Sequence, residues 1–159
     1  MPLRLAAGLL LALCVALAPA CGDGPPRRTE VRIGGLAVQA ELALTPDERS
    51  LGLGRRASLP QDAGMLFVFP SEQEETFWMK DMRFPLDFVW ISADRRVIGV
   101  LEGVPPPAPG TSDADLTLYR SPAPVLYVLE VNAGAVERTG VRVGDAVTFT
   151  PDVSMEDAR

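Results

Sequence analysis

Residues 86–101 read LDFVWISADRRVIGVL: two apolar runs of strand length on either side of the polar stretch Ala93-Asp94-Arg95-Arg96. The runs are rich in β-branched and aromatic side chains, and the stretch between them has the length and polarity of a turn. The segment therefore predicts a β-hairpin, with strands at Leu86 to Ile91 and Val97 to Leu101. The same reading extends in both directions. Met65-Leu66-Phe67-Val68-Phe69 lies between Gly64 and Pro70 and predicts a buried strand. Val125 to Val131, Phe77-Trp78-Met79 and Ala146 to Thr150 add three more strands, and Val31 to Leu44 adds one or two around Gly34-Gly35. Only two segments favour a helix. Thr45-Pro46-Asp47-Glu48 can cap, start and close a capping box for a helix ending near Leu53-Gly54, and Ala133 to Thr139 predicts a second, stopped by Gly140. Val104 to Pro124 is a long connection rich in Pro, Gly, Ser and Asp, expected as a surface lid or a loosely ordered insert. The fold expected is mainly β with two short helices (α+β), a compact rolled antiparallel sheet or small barrel, because two helices cannot cover a parallel sheet.

The N-terminal end predicts export. Arg4 precedes the uncharged apolar run Leu5 to Leu17, and Ala18-Pro19-Ala20 follows as a cleavage region. Such a run is shorter than the roughly 20 helical residues needed to span a bilayer. Cys21, directly after the small residue Ala20, is similar to the lipidated cysteine of bacterial lipoproteins, and Gly22-Asp23-Gly24-Pro25-Pro26 suits a flexible tether. Pro19 departs from the small residue usual there, so a soluble periplasmic or secreted product is the alternative to a membrane-anchored lipoprotein at the cell envelope. Residues 1–20 are thus expected as signal peptide, 21–29 as tether, 30–152 as a single β-rich domain and 153–159 as a polar tail. Cys14 lies in the signal, so the processed chain keeps Cys21 alone and has no internal disulfide.

Composition narrows the function. Processing removes Arg4 and no acid, leaving 14 bases against 21 acids. That balance speaks against nucleic acid as a partner, which would need a basic stripe. The chain has no histidine, which removes the commonest general base and the usual ligand of catalytic zinc. It has a single lysine, Lys80, within Thr76-Phe77-Trp78-Met79-Lys80.

The runs GLGRRASLPQDAGMLFVF, FWMKDMRFPLDFVWISAD and YVLEVNAGAVERTGVRVGDAV, with Tyr119 between them, are similar to domain of unknown function 192. This is a family of small exported or membrane-linked bacterial and archaeal proteins. The resemblance spans roughly Val38 to Phe149 and includes Arg56, Trp78, Met79, Lys80, Asp87 and Glu130 among the motif positions. It implies a β-rich fold and carries no established activity. Gly54, Asp81 and Met82 depart from the residues usual there, and the cysteines that some members place before the Val125 strand are absent.

Lys80, Asp87 and Glu130 are charged residues set in apolar runs, so each must turn outward or find a partner. A pairing of Lys80 with either acid would be a structural ion pair, or would line a cleft in which Lys80 holds an anionic group and a carboxylate serves as acid or base. Trp78, Met79 and Arg56 complete the ligand-binding candidates. Met65, Met79 and Met82 could ligate soft metals, but thioethers in apolar strands read as core filling, so neither metal nor cofactor is expected. The leading expectation is a surface-tethered envelope domain, not catalytic, that binds a ligand or partner. The alternative is a carboxylate-based hydrolase or lyase acting on an envelope polymer, with Asp87 and Glu130 as the paired acids.

Overall fold

The computed structural model describes residues 27–159; the expected signal peptide, Cys21 and most of the tether lie outside the described residues. Strands β1 (Arg28–Ile33) and β2 (Leu36–Ala43) form an antiparallel hairpin with Ile33 opposite Leu36. Gly34 makes the turn at φ 55°, a left-handed conformation that glycine adopts without strain. Val31, Ile33, Leu36, Val38 and Ala40 alternate inward. The sheet starts inside the stretch expected as tether: Arg28 opens β1, and buried Thr29 donates to the Pro151 carbonyl at 2.7 Å.

Helix α1 (Pro46–Leu51) has the expected capping box of Thr45 and Glu48. It ends earlier than expected. Gly52 takes φ 51° and bonds back to the Glu48 carbonyl, which turns Leu53 into the core. Strand β3 (Ala63–Gln73) then returns beside β2 in the same direction, with Gln39 opposite Ala63 and Ala43 opposite Phe67. The expected rolled antiparallel sheet is thus parallel at this pairing and antiparallel at all the other pairings of the main sheet. The crossover through α1 supplies the chain length that parallel pairing requires, and nothing in the local pattern of either strand encodes direction.

Strand β4 (Thr76–Phe77) is short, β5 (Leu86–Ile91) and β6 (Val97–Val104) form the expected hairpin, and β7 (Tyr119–Arg120) pairs with β4 as a separate ribbon. Strand β8 (Val125–Asn132) fills the gap between β3 and β5, helix α2 (Ala135–Thr139) follows, and β9 (Val147–Thr150) pairs with β1. The main sheet runs β6-β5-β8-β3-β2-β1-β9. It curls until its two edges touch at one end. Val97 N–H donates to Asp145 O (3.0 Å), Gly144 N–H to Val97 O (2.8 Å) and Val147 N–H to Arg95 O (3.0 Å). The result is a half-barrel, a rolled sheet of the expected class.

Rolling gives the sheet two apolar faces. Inside the roll, residues of β1, β2 and β9 pack with Leu66, Val68, Val89, Ile91, Leu129 and Val131, and α2 adds Ala135 and Val136. On the outer face of β3, β5 and β8 a second layer forms from Met65, Phe67, Phe69, Leu86, Phe88, Trp90 and Val128. This explains why β5 and most of β8 are buried along their length: each lies between two cores. The stretch expected as a polar tail also packs. Val153 is buried and accepts from Tyr127 Oη (3.2 Å), and Asp157 pairs with Arg27 at 2.6 Å.

Candidate functional site

Strand alternation decides where the two embedded acids point. Asp87 lies opposite Val131, whereas Glu130 lies opposite Phe88 on one side and Met65 on the other. The two carboxylates therefore occupy opposite faces of the sheet, and the acid pair expected for a hydrolase is not formed by these residues. Asp87 has a structural role. Its Oδ1 accepts from Gly103 N–H (2.8 Å) and its Oδ2 from Val136 N–H (3.0 Å), tying β6 and the first turn of α2 to the centre of the sheet.

Glu130 faces the outer layer, where it lines the floor of a cleft of about 280 Å³. One wall is the end of α1 and the chain just after it, Leu51, Gly52 and Leu53; the other is Phe77, Trp78 and Met82. Phe67 and Phe69 of β3 close the back. Phe77 organises the aromatic side, with ring centroids 4.9 Å from Phe67, 6.3 Å from Phe69 and 5.5 Å from Trp90, mostly edge to face. The mouth is apolar as well: Trp78 is 44% exposed and Leu51 54%.

Glu130 is only 4% exposed, and neither a hydrogen-bond donor nor a cation among the described residues offsets its burial. Desolvation alone pushes its carboxyl from the ordinary 4.5 up to about 8. At neutral pH it is therefore mostly a neutral acid, able to donate one hydrogen bond and accept others. A carboxyl shifted in this way on a cleft floor marks the cleft as a candidate site. Three further charged residues line the cleft: Arg49, Glu75 and Lys80. Arg49 Nη1 donates to the carbonyls of Leu44 and Val68, and its guanidinium lies 5.3 Å from the Phe69 ring centre.

The other expected site residues divide. Trp78 and Lys80 line the cleft, but not from a strand. β4 stops at Phe77 and the chain turns, with Met82 N–H bonded to Met79 O and Asp81 at φ 58°. Aspartate tolerates that left-handed conformation better than most residues. Trp78 consequently stands at the surface, and Lys80 pairs with Asp113 of the long connection, not with Asp87 or Glu130. Met79 is buried in the outer layer and adjoins a second hollow, of about 320 Å³, beneath Pro105, Pro106 and Pro107. Arg56 is a scaffold residue, bound through both terminal nitrogens to Glu41 (3.2 and 2.7 Å), whose carboxylate this bonding holds below its ordinary range. The contribution of α1 was not foreseen: all of its residues are partly or fully exposed, so amphipathic spacing gave no sign that Leu51 would wall a cleft. Phe77 could have been found, since it adjoins the candidates already chosen.

Among the described residues no cluster of three His, Cys, Asp or Glu side chains could hold a metal ion, and no helix is long and apolar enough to cross a membrane. No protein of curated function matches the chain. Two crystal structures resemble it closely in shape and moderately in sequence. One, from Sinorhizobium meliloti 1021 and described as a candidate transcription regulator, shares 32% identity at a TM-score of 0.71, covering 81% of this chain and 98% of that one. The other, a protein of unknown function from Novosphingobium aromaticivorans DSM 12444, shares 31% identity at a TM-score of 0.70, covering 89% and 99%. Residues 29–149 match the model of DUF192, described as "Uncharacterized ACR". The chain belongs to the domain-of-unknown-function-192 family.

Proposed function

We propose that this protein is an envelope-tethered binding domain whose outer-face cleft receives an apolar ligand, or an apolar side chain of a partner, and reads one polar group on it with Glu130. One observation carries the reading: the carboxyl of a residue only 4% exposed, with no partner among the described residues and its oxygens open only to an aromatic cleft whose floor it lines. An acid held this way costs the fold free energy, and a ligand that satisfies it recovers that free energy on binding. The export signal and Cys21 support a place at the envelope, anchored by lipid, with soluble export as the alternative. The acidic balance gives no support to carrying over the regulatory description of the Sinorhizobium protein.

Trp78 supplies the test, because the other tryptophan, Trp90, is buried in the outer layer. A panel of small aromatic and aliphatic compounds screened by melting temperature should yield binders that also change Trp78 emission, and Trp78→Phe should abolish the optical change. If no compound in the panel both raises the melting temperature and changes the emission, the cleft is not a binding site. A second reading rests on Glu75, which also lines the cleft. With Glu130 as proton donor and Glu75 as the second acid, hydrolysis of an envelope polymer replaces the Asp87 pairing. It predicts that Glu75→Gln and Glu130→Gln each abolish release of soluble fragments from purified cell wall, whereas simple binding predicts no release by any variant.

A further inference from the structure

The ligand class follows from which charges in the cleft are already engaged, and this inference rests on the binding reading above. Lys80 is ion-paired with Asp113. Arg49 donates to two backbone carbonyls and covers Phe69, and Glu75 Oε1 accepts from Gln73 Nε2 at 2.6 Å. The residues opposite Glu130 on the neighbouring strands, Met65 and Phe88, carry no charge. Glu130 is thus the one ionisable group lining the cleft with neither donor nor counter-charge among the described residues. The same cleft is lined by Phe77 and Trp78, aromatic rings of the kind whose faces attract cations.

We propose that the cleft takes an organic ammonium ion, its N–H groups on the Glu130 carboxylate and its apolar substituent against Phe77, Trp78 and Leu51, in exchange for the Glu130 proton. The step balances as Glu130–COOH plus R–NH₃⁺ giving Glu130–COO⁻ paired with H₃N⁺–R plus a proton released to solvent. The ammonium supplies both things the protein withholds from this carboxyl, donors and positive charge. Ionising the acid for this purpose is a small step near neutrality, since burial has raised it only to about 8. An anionic ligand would have to approach an acid that could then never ionise. A neutral alcohol could accept the acid's proton in a hydrogen bond but would displace nothing.

Calorimetry on the purified protein decides between these cases, with 2-phenylethylammonium chloride as the probe and 2-phenylethanol and 3-phenylpropionate as its neutral and anionic counterparts. Titration at pH 7 in buffers of differing ionisation enthalpy should count about 0.9 proton released per ammonium bound, the protonated fraction of an acid titrating near 8. Affinity for the ammonium should rise by nearly two orders of magnitude from pH 6 to pH 9 and fall again above about pH 10 as the ammonium itself loses its proton, while affinity for the alcohol stays level or falls. Glu130→Gln should lose both the proton release and the preference for the ammonium. If that variant does not fold, the proton count and pH profile of the unaltered protein decide alone. Equal affinity for ammonium and alcohol, a proton count near zero, or a preference for the propionate would each overturn the proposal and leave an apolar binding cleft standing. If none of the three probes gives heat or alters Trp78 emission, the proposal fails and the binding reading loses its support with it.

Discussion

Replacing Glu130 with glutamine keeps the side chain's shape and removes its titration, so the variant isolates what this carboxyl does to stability. In the folded protein the acid titrates near 8 and in the unfolded chain near 4.5. Between those values the folded state holds the proton more firmly, so the unfolded state gains relative stability as pH rises. The contribution is complete below about 4.5 and is lost progressively up to about 8. Working the two titrations through gives a loss on the order of 3–4 kcal/mol between pH 5 and pH 8, a large part of the 5–15 kcal/mol typical of a domain. Other perturbed groups leave that window clear. Glu41, Glu48 and Asp157 are held low by arginine and backbone donors, so their stabilising effect is lost only as pH falls through the acid range. Tyr127 is raised from 10 and does not titrate there. Urea unfolding at pH 5, 6, 7 and 8 should therefore show falling stability for the natural protein and a nearly flat profile for Glu130→Gln, the two converging at the acid end. Parallel profiles would mean that Glu130 is solvated or paired in solution, and the account of the cleft floor would be wrong.

Other perturbations test the remaining assignments. Asp87→Leu should cost about 2–3 kcal/mol in urea unfolding by stranding the Val136 N–H, yet leave ligand-induced changes at Trp78 intact; a loss of binding without a loss of stability would return Asp87 to the site. Trp78→Ala should lower stability by less than about 1 kcal/mol because nearly half its surface is already in water, and a loss of several kcal/mol would place the ring in the core. Cys21→Ser should move the protein from the membrane fraction to the soluble fraction, and unchanged fractionation would exclude the lipid anchor.

The architecture was legible where periodicity and turn chemistry act locally. Residues 86–101 form the hairpin their pattern predicts, and Thr45 and Glu48 build the capping box their spacing allows. The parallel pairing of β2 with β3 was not legible, because direction depends on how far the chain travels through α1 and what it meets there. The site shows the same division. Embedding in an apolar run marked Asp87 and Glu130 alike, since both strands lie between two cores. Only strand register, a property of three strands together, sends Asp87 to backbone donors and Glu130 to the cleft. Lys80 was conspicuous as the sole lysine, yet its partner Asp113 comes from a connection whose Pro- and Gly-rich sequence gives no register from which to place it.

The burial of β5 and β8 between two cores has a consequence before the protein is folded. LDFVWI and VLYVLE are short, strongly β-forming and almost uncharged, the composition of segments that stack into cross-β aggregates. Each carries one acid, Asp87 in the first and Glu130 in the second. In the unfolded chain Glu130 titrates near 4.5 and so bears a full charge at neutral pH, repelling copies of its own strand. The residue that weakens the finished molecule thus guards the unfinished one. Glu130→Gln should melt at a higher temperature at pH 8 and yet refold in lower yield at high protein concentration, with the shortfall appearing as aggregate. A refolding yield equal to that of the natural chain would deny Glu130 this gatekeeping role.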